Sequence, residues 1–102
     1  MTPHDAAGAA LDQAITWARE QHTAAWAINA AWQALDNPPG TRWGTPDHEA
    51  ALVAGWSAWC AAEDHDLHPS YLGTVLRRRH TTVAGVVEGL VRAKQIHDEG
   101  GA

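Results

Sequence analysis

The chain has 102 residues, a formal net charge of −5, one cysteine and no phenylalanine. This length suits a single domain with its own core, the lone Cys60 excludes an internal disulfide, and no apolar run reaches the ~18 residues of a membrane span. The acidic balance also argues against a general binder of polyanions. We therefore expect one cytoplasmic domain over residues 1–102, without a membrane segment.

The charges are unevenly distributed along the chain. Residues 1–66 carry nine acidic residues against two arginines, a net of −7, whereas residues 67–102 carry five basic residues against three acidic ones, a net of +2. This asymmetry leaves room for a local anion-binding face in the second part of the chain.

Residues 5–35 are predicted to form one long helix, because they are rich in alanine and contain no proline. Small or apolar residues recur three and four positions apart within it, with Gln21 as the one polar break, at Leu11, Ala14, Ala18, Ala25, Ile28, Trp32 and Leu35. Repeated in this way, the spacing builds a packing stripe and also a short coiled-coil seam. Such a helix is either central in its own fold or shared with a partner, and we expect a homodimer joined along it.

Start and stop signals predict three further helices, over residues 46–64, 69–79 and 82–98. The sequence DNPPG at residues 36–40 ends the first helix. Thr45 suits the N-cap of the second helix, Pro69 suits the first position of the third, and Thr81 or Thr82 suits the N-cap of the fourth. No segment alternates polar and apolar residues with period two, so no strand is expected. The predicted fold is all-α, a small bundle of about four helices.

The junction of the second and third helices has a recognisable spacing. A small residue is followed by a turn residue four positions later, an apolar residue next, and apolar residues six and nine after the turn: Ala62, Asp66, Leu67, Leu72 and Val75. This arrangement resembles the helix-turn-helix motif of repressor-like and AraC-like regulators. That family usually has glycine where this chain has Asp66, and an apolar side chain where it has His65. The resemblance covers residues 61–80.

The resemblance implies that helix 69–79 is a recognition helix that lies in the major groove of double-stranded DNA. The side chains facing the groove would be Ser70, Tyr71, Thr74 and Arg78. Arg77 and Arg79, with Arg92, would lie near phosphates. A local role for the three consecutive arginines also stays open, because cations in the last turn of a helix stabilise it against the helix dipole. The first hypothesis is a small DNA-binding protein of transcription regulation.

The histidines near the second turn do not make up a metal site by their spacing. A structural zinc site takes four ligands, usually in two spaced pairs, and Cys60 with His65 and His68 leaves that set incomplete. The chain also lacks a glycine-rich phosphate loop, an HExxH motif and a nucleophile motif. We therefore expect no metal, no cofactor and no enzymatic activity.

The tryptophans support a second hypothesis. The helical spacing places three of them in the core: Trp32, Trp56 and Trp59. Trp43 lies in a loop rich in glycine and proline, and Trp17 and Trp26 lie on the flank of the first helix, where a monomer buries them less easily. Exposed indoles are typical anchors of protein interfaces. The alternative is therefore a helical protein–protein interaction module, such as a regulatory subunit or a phage-type accessory protein, that binds itself or another protein through Trp17, Trp26 and Trp43.

Overall fold

The structure, a computed structural model, describes residues 1–64 and 69–100 and contains five α-helices within them. They are α1 (Pro3–Arg19), α2 (Ala24–Asp36), α3 (Pro46–Glu63), α4 (Pro69–Arg79) and α5 (Val83–Gly100). No strand occurs in these ranges, so the all-α class is confirmed. The last three helices match their predicted bounds to within two residues. Within the same ranges, none of the helices has the length and apolar character needed to cross a membrane.

The prediction of one helix over residues 5–35 is wrong, because the chain turns just before Thr23 and the helix count becomes five. The Gln21 side chain donates a hydrogen bond to the carbonyl of Trp17 (Nε2 to O, 3.2 Å) at the end of α1. Thr23 is the N-cap of α2, and its hydroxyl accepts a hydrogen bond from the backbone N–H of Trp26 (3.2 Å). A capping threonine can therefore start a new helix inside a stretch of high helix propensity.

This turn lets α2 pack against α1. The predicted stripe is largely buried in the chain's own core, since Leu11, Ala14, Ala18, Ile28 and Leu35 are buried and Trp32 packs against the core from its edge. Helix α1 also contacts α3 and α5, so it is the central helix of the bundle. Most of the stripe thus packs within the chain itself, and the homodimer stays a prediction.

Alanines make up most of the buried apolar side chains, and a few large residues fill the remaining space. The largest fully buried side chains are Trp59, Leu11, Leu35, Leu72, Leu76, Leu90 and Val86. Small side chains let helices approach closely, and the bulky ones fill the gaps between them, as close packing requires. The core therefore depends on a small number of large residues.

Three aromatic rings form a row between α2 and α3, which we call the tryptophan row: Trp32, Trp56 and Trp59. The rings of Trp56 and Trp59 stack with their centroids 5.8 Å apart, and the ring of Trp32 meets Trp56 edge-on at 4.1 Å. Trp59 is fully buried, while Trp32 and Trp56 are half-buried and pack against the core. The predicted core position is confirmed for Trp59, whereas Trp32 and Trp56 lie at the edge of the core.

Contacts between α1 and α5 join the two ends of the described chain. His97 donates from Nε2 to the backbone carbonyl of His4 (2.8 Å), and the two imidazole rings stack at a centroid distance of 4.0 Å. Lys94 lies between Asp98 (3.0 Å) and Asp12 (3.7 Å). The hydrogen bond to Asp98 raises the pKa of Lys94 above its usual range. Lys94 is therefore a cation that is already paired with Asp98 and Asp12.

Candidate nucleic-acid interface

Helix α4 is anchored to the body of the protein along one side. Leu72 and Leu76 are fully buried, Val75 is half-buried, and the helix contacts α2 and α3. These apolar positions are three and four residues apart, the spacing of one helix face. The opposite face is left to solvent.

That opposite face presents polar and cationic side chains, and we call it the α4 outer face. It consists of Ser70, Tyr71, Thr74, Arg77 and Arg78, all of which are exposed. Tyr71 is 65% exposed even though it is the one aromatic residue of the helix. Residues three and four positions apart lie on the same side of a helix, so the predicted groove-facing residues are brought together on one surface.

Arg79 lies outside this surface and has contacts within the fold, while its predicted position near phosphates stays a prediction. Its guanidinium donates a hydrogen bond to the backbone carbonyl of Glu63 and approaches the carboxylates of Glu63 (3.8 Å) and Asp64 (3.6 Å). Arg92 similarly donates to the carbonyl of Ala62 (3.1 Å). Both arginines satisfy carbonyls that the end of α3 leaves unpaired.

A buried carboxylate that is hydrogen-bonded to a histidine lies next to these capping arginines, and sequence reasoning missed it. The Glu63 side chain is 4% exposed, and both of its oxygens lie close to Nε2 of His80, at 2.8 and 3.0 Å. Gly89 on α5 makes room for this carboxylate, because a Cβ atom there would lie 2.5 Å from Oε1 of Glu63. The pair therefore ties the end of α3 to the residue that follows α4, against the surface of α5.

Arg77 and Arg78 differ from Arg79, because neither of them forms an ion pair with a described carboxylate. In residues 1–64 and 69–100, no carboxylate lies within ion-pair distance of either guanidinium. Each successive residue of a helix is rotated by about 100°, so three consecutive arginines cannot all point in the same direction. Two of them are available to an anionic partner, and the third caps α3.

The positions of the helix-turn-helix spacing are partly described. Ala62 and Leu72 are buried and Val75 is half-buried, which is the packing that the motif requires of its two helices. The turn residues Asp66 and Leu67, together with His65, lie outside the described residues. The helical part of the resemblance is therefore compatible with the structure, and the turn stays a prediction.

The three tryptophans predicted to form a protein interface have different environments. Trp26 is 62% exposed and Trp43 is 70% exposed, whereas Trp17 is half-buried and packs against the core. Trp26 lies in the first turn of α2 and Trp43 lies in the loop before α3, so the structure does not bring the exposed pair together on one helix.

The exposed Trp43 side chain is held in place by contacts with His48 and Asn37. Its ring lies over the ring of His48 at a centroid distance of 4.5 Å, and its Nε1 donates to Oδ1 of Asn37 (3.3 Å). His48 is buried and its Nε2 donates to the backbone carbonyl of Asp36 (3.3 Å). Burial raises the pKa of the Asp36 carboxyl above its ordinary value, although Trp56 donates a hydrogen bond to it. The indole is thus presented in a defined orientation.

The described residues, 1–64 and 69–100, include histidine, aspartate and glutamate side chains and one cysteine, all of which can bind metal ions. Within those ranges, no group of three or more histidine, cysteine, aspartate or glutamate side chains is arranged to hold one. His65 and His68 lie outside the described residues. Cys60 is buried, and burial raises the pKa of its thiol, so it remains protonated and packs as a small apolar side chain.

Comparison with known proteins adds no further constraint: no protein-family model matches the chain, and neither the curated proteins nor the solved structures include a significant match.

Proposed function

We propose that the protein is a small regulator that binds double-stranded DNA through the α4 outer face. The observation that carries this proposal is the division of α4 into one side anchored by Leu72 and Leu76 and another that presents hydroxyl and guanidinium groups to solvent. An α-helix fits into the major groove of B-DNA. Hydroxyl and guanidinium groups are the side chains that read base edges and bind phosphates.

The two arginines of the outer face supply the electrostatic part of the proposed interaction. Arg77 and Arg78 have no carboxylate partner among the described residues, so a phosphate need not displace one. Arg79 and Arg92 are left out, because both are engaged with the end of α3. Two phosphate contacts imply a log–log salt slope of about −1.8, which amounts to a roughly tenfold loss of affinity between 50 and 200 mM salt.

The double variant Arg77→Gln/Arg78→Gln should therefore bind DNA with a salt slope that is smaller by about 1.8. The measurement is fluorescence anisotropy of a labelled duplex, titrated with protein at several salt concentrations. Each single variant should lower the slope by about 0.9, because each removes one phosphate contact.

Arg42→Gln is the matched control, since Arg42 is also exposed but lies in the loop between α2 and α3. Arg42→Gln changes the net charge by the same amount as either single variant, and it should leave the salt slope of DNA binding unchanged. Thr74→Ala should weaken binding to a preferred sequence while leaving the salt slope intact, because a hydroxyl that reads a base edge carries no charge. Absence of duplex binding at low salt, or equal effects of Arg42→Gln and Arg77→Gln, would contradict the proposal.

A second function is supported by the exposed tryptophans. Trp26 and Trp43 are large apolar side chains that are more than half exposed, and Trp43 is oriented by His48 and Asn37. Oriented, exposed indoles are the side chains that most often anchor protein interfaces. In this reading the protein binds another protein or a second copy of itself, and the dimer does not use the apolar stripe of α1.

Replacing Trp26 or Trp43 by alanine should then weaken self-association by about thirtyfold, the effect of losing one interface anchor. Sedimentation velocity over a range of concentrations measures it, and circular dichroism should show unchanged helix content because both side chains are exposed. Val53→Ala is the control, since Val53 is 60% exposed on α3. A wild-type chain that sediments as a monomer at every concentration would exclude the self-associating form of this alternative.

A further inference from the structure

A groove lies between α2 and α4, next to the α4 outer face. Its volume is about 270 Å³, and it is lined by Ala25, Ile28, Asn29, Trp32, Gly73 and Arg77. The α2 residues of this lining are three and four positions apart and form one side of that helix. The groove is therefore a junction between two helices and not a surface depression on one of them.

One wall of the groove is aromatic and fixed in position. Trp32 is held edge-on against Trp56, which stacks in turn on the fully buried Trp59. Across the groove, Gly73 contributes backbone only, and a Cβ atom there would lie 3.6 Å from Cζ3 of Trp32. A larger residue at position 73 would reach into the space beside the indole. A methyl group at position 73 would make an ordinary van der Waals contact with the indole, so the slot that Gly73 leaves beside Trp32 is narrow.

The polar groups of the groove belong to Arg77 and Asn29. Arg77 is exposed and is not paired with a carboxylate of any described residue. A guanidinium binds a carboxylate through two parallel hydrogen bonds, and the Asn29 amide adds a neutral donor and acceptor. An aromatic wall with one uncompensated cation is complementary to a flat apolar group that carries one negative charge.

We propose that this groove binds a small aromatic monocarboxylate, with its ring against Trp32 and Ile28 and its carboxylate on Arg77. The volume favours a single ring with a short acid chain, because a cavity of about 150 Å³ already accommodates benzene. The single cation of the groove matches the single negative charge of a carboxylate.

A consequence for DNA binding follows, and it rests on the proposed function. Arg77 belongs both to the groove and to the α4 outer face, so a bound carboxylate neutralises one of the two arginines assigned to phosphates. Saturating ligand should therefore lower the salt slope of DNA binding by about 0.9, as Arg77→Gln does. The ligand would act as an effector that releases DNA.

The test is a titration of the isotope-labelled full chain with 3-phenylpropionate, followed by two-dimensional proton–nitrogen NMR. The amide of Gly73 and the indole N–H of Trp32 should shift in a saturable way, with a dissociation constant of roughly 0.1–1 mM for a ligand of this size. The neutral 3-phenylpropanamide should bind about tenfold more weakly, because it lacks the charge-assisted bonds to Arg77. Arg77→Gln should remove that preference.

Arg78→Gln is the matched control, because it removes the neighbouring charge without lining the groove. Gly73→Leu should abolish binding of both compounds by filling the slot, with helix content unchanged by circular dichroism. No saturable shift up to ~10 mM, equal affinity for acid and amide, or equal effects of Arg77→Gln and Arg78→Gln would each overturn the site. The NMR titration does not involve DNA, so its result stands whether or not the protein binds a duplex.

Discussion

Replacing His80 by alanine should lower the free energy of unfolding by about 3 kcal/mol. Nε2 of His80 lies 2.8 and 3.0 Å from the two oxygens of Glu63, whose side chain is only 4% exposed. Without the imidazole, the described contact that remains to this carboxylate is the Arg79 guanidinium at 3.8 Å. The loss falls at the lower end of the range for a broken buried pair, because the His80 side chain is itself 17% exposed.

Urea unfolding at neutral pH, followed by circular dichroism, measures this loss. His22→Ala is the control, because His22 is exposed in the turn between α1 and α2, and its replacement should change stability by less than ~0.5 kcal/mol. The double variant Glu63→Ala/His80→Ala should cost less than the sum of the two single variants, since the buried charge is then removed with its partner. Equal stability of His80→Ala and His22→Ala would show that the pair does not hold the helices together.

Replacing Trp59 by alanine should lower the free energy of unfolding by about 3–5 kcal/mol, the largest effect expected in this chain. Trp59 is completely buried and supports Trp56, which in turn supports Trp32. Few other large side chains are available to fill the resulting cavity, because the surrounding core consists mainly of alanines. Thermal unfolding should show a decrease in Tm of more than ~12 °C.

Trp59→Phe should lower the free energy of unfolding by far less than Trp59→Ala does, under about 1 kcal/mol. The indole Nε1 of Trp59 is the one buried side-chain donor without a hydrogen-bond partner among the described residues. Phenylalanine leaves a small cavity, but it also removes an unpaired donor whose burial costs about 1–3 kcal/mol, and the two effects offset each other. A loss of ~3 kcal/mol for Trp59→Phe would mean that the N–H is satisfied in solution.

Arg77 belongs both to the groove and to the α4 outer face. Its position on α4 places it at the boundary between the groove and the outer face, whereas Arg78 belongs to the outer face alone. DNA binding should therefore depend on both arginines, and binding of an aromatic carboxylate should depend on Arg77 only. This difference between adjacent residues of identical chemistry makes the two proposed functions separable by mutation.

Local signals in the sequence determined the helical class and most helix ends. Thr45, a proline at the start of α3 and the capping Thr82 act within one turn of chain, so their effect can be predicted without knowing the fold. The exposure of Ser70, Thr74 and Arg78 also follows from helical spacing once Leu72 and Leu76 are taken as the buried side. Thr23 carries the same kind of capping signal, but the high propensity of the surrounding alanines conceals it.

Only the tertiary structure decided how the charged and aromatic residues are used. Glu63 and His80 are 17 positions apart, and Arg79 reaches a carbonyl 16 positions earlier in the chain. Trp32 and Gly73 face each other across two helices that are not consecutive in the sequence. A pattern of residue types records their order along the chain, whereas ion pairs, grooves and free cations depend on distances between helices, which packing alone sets.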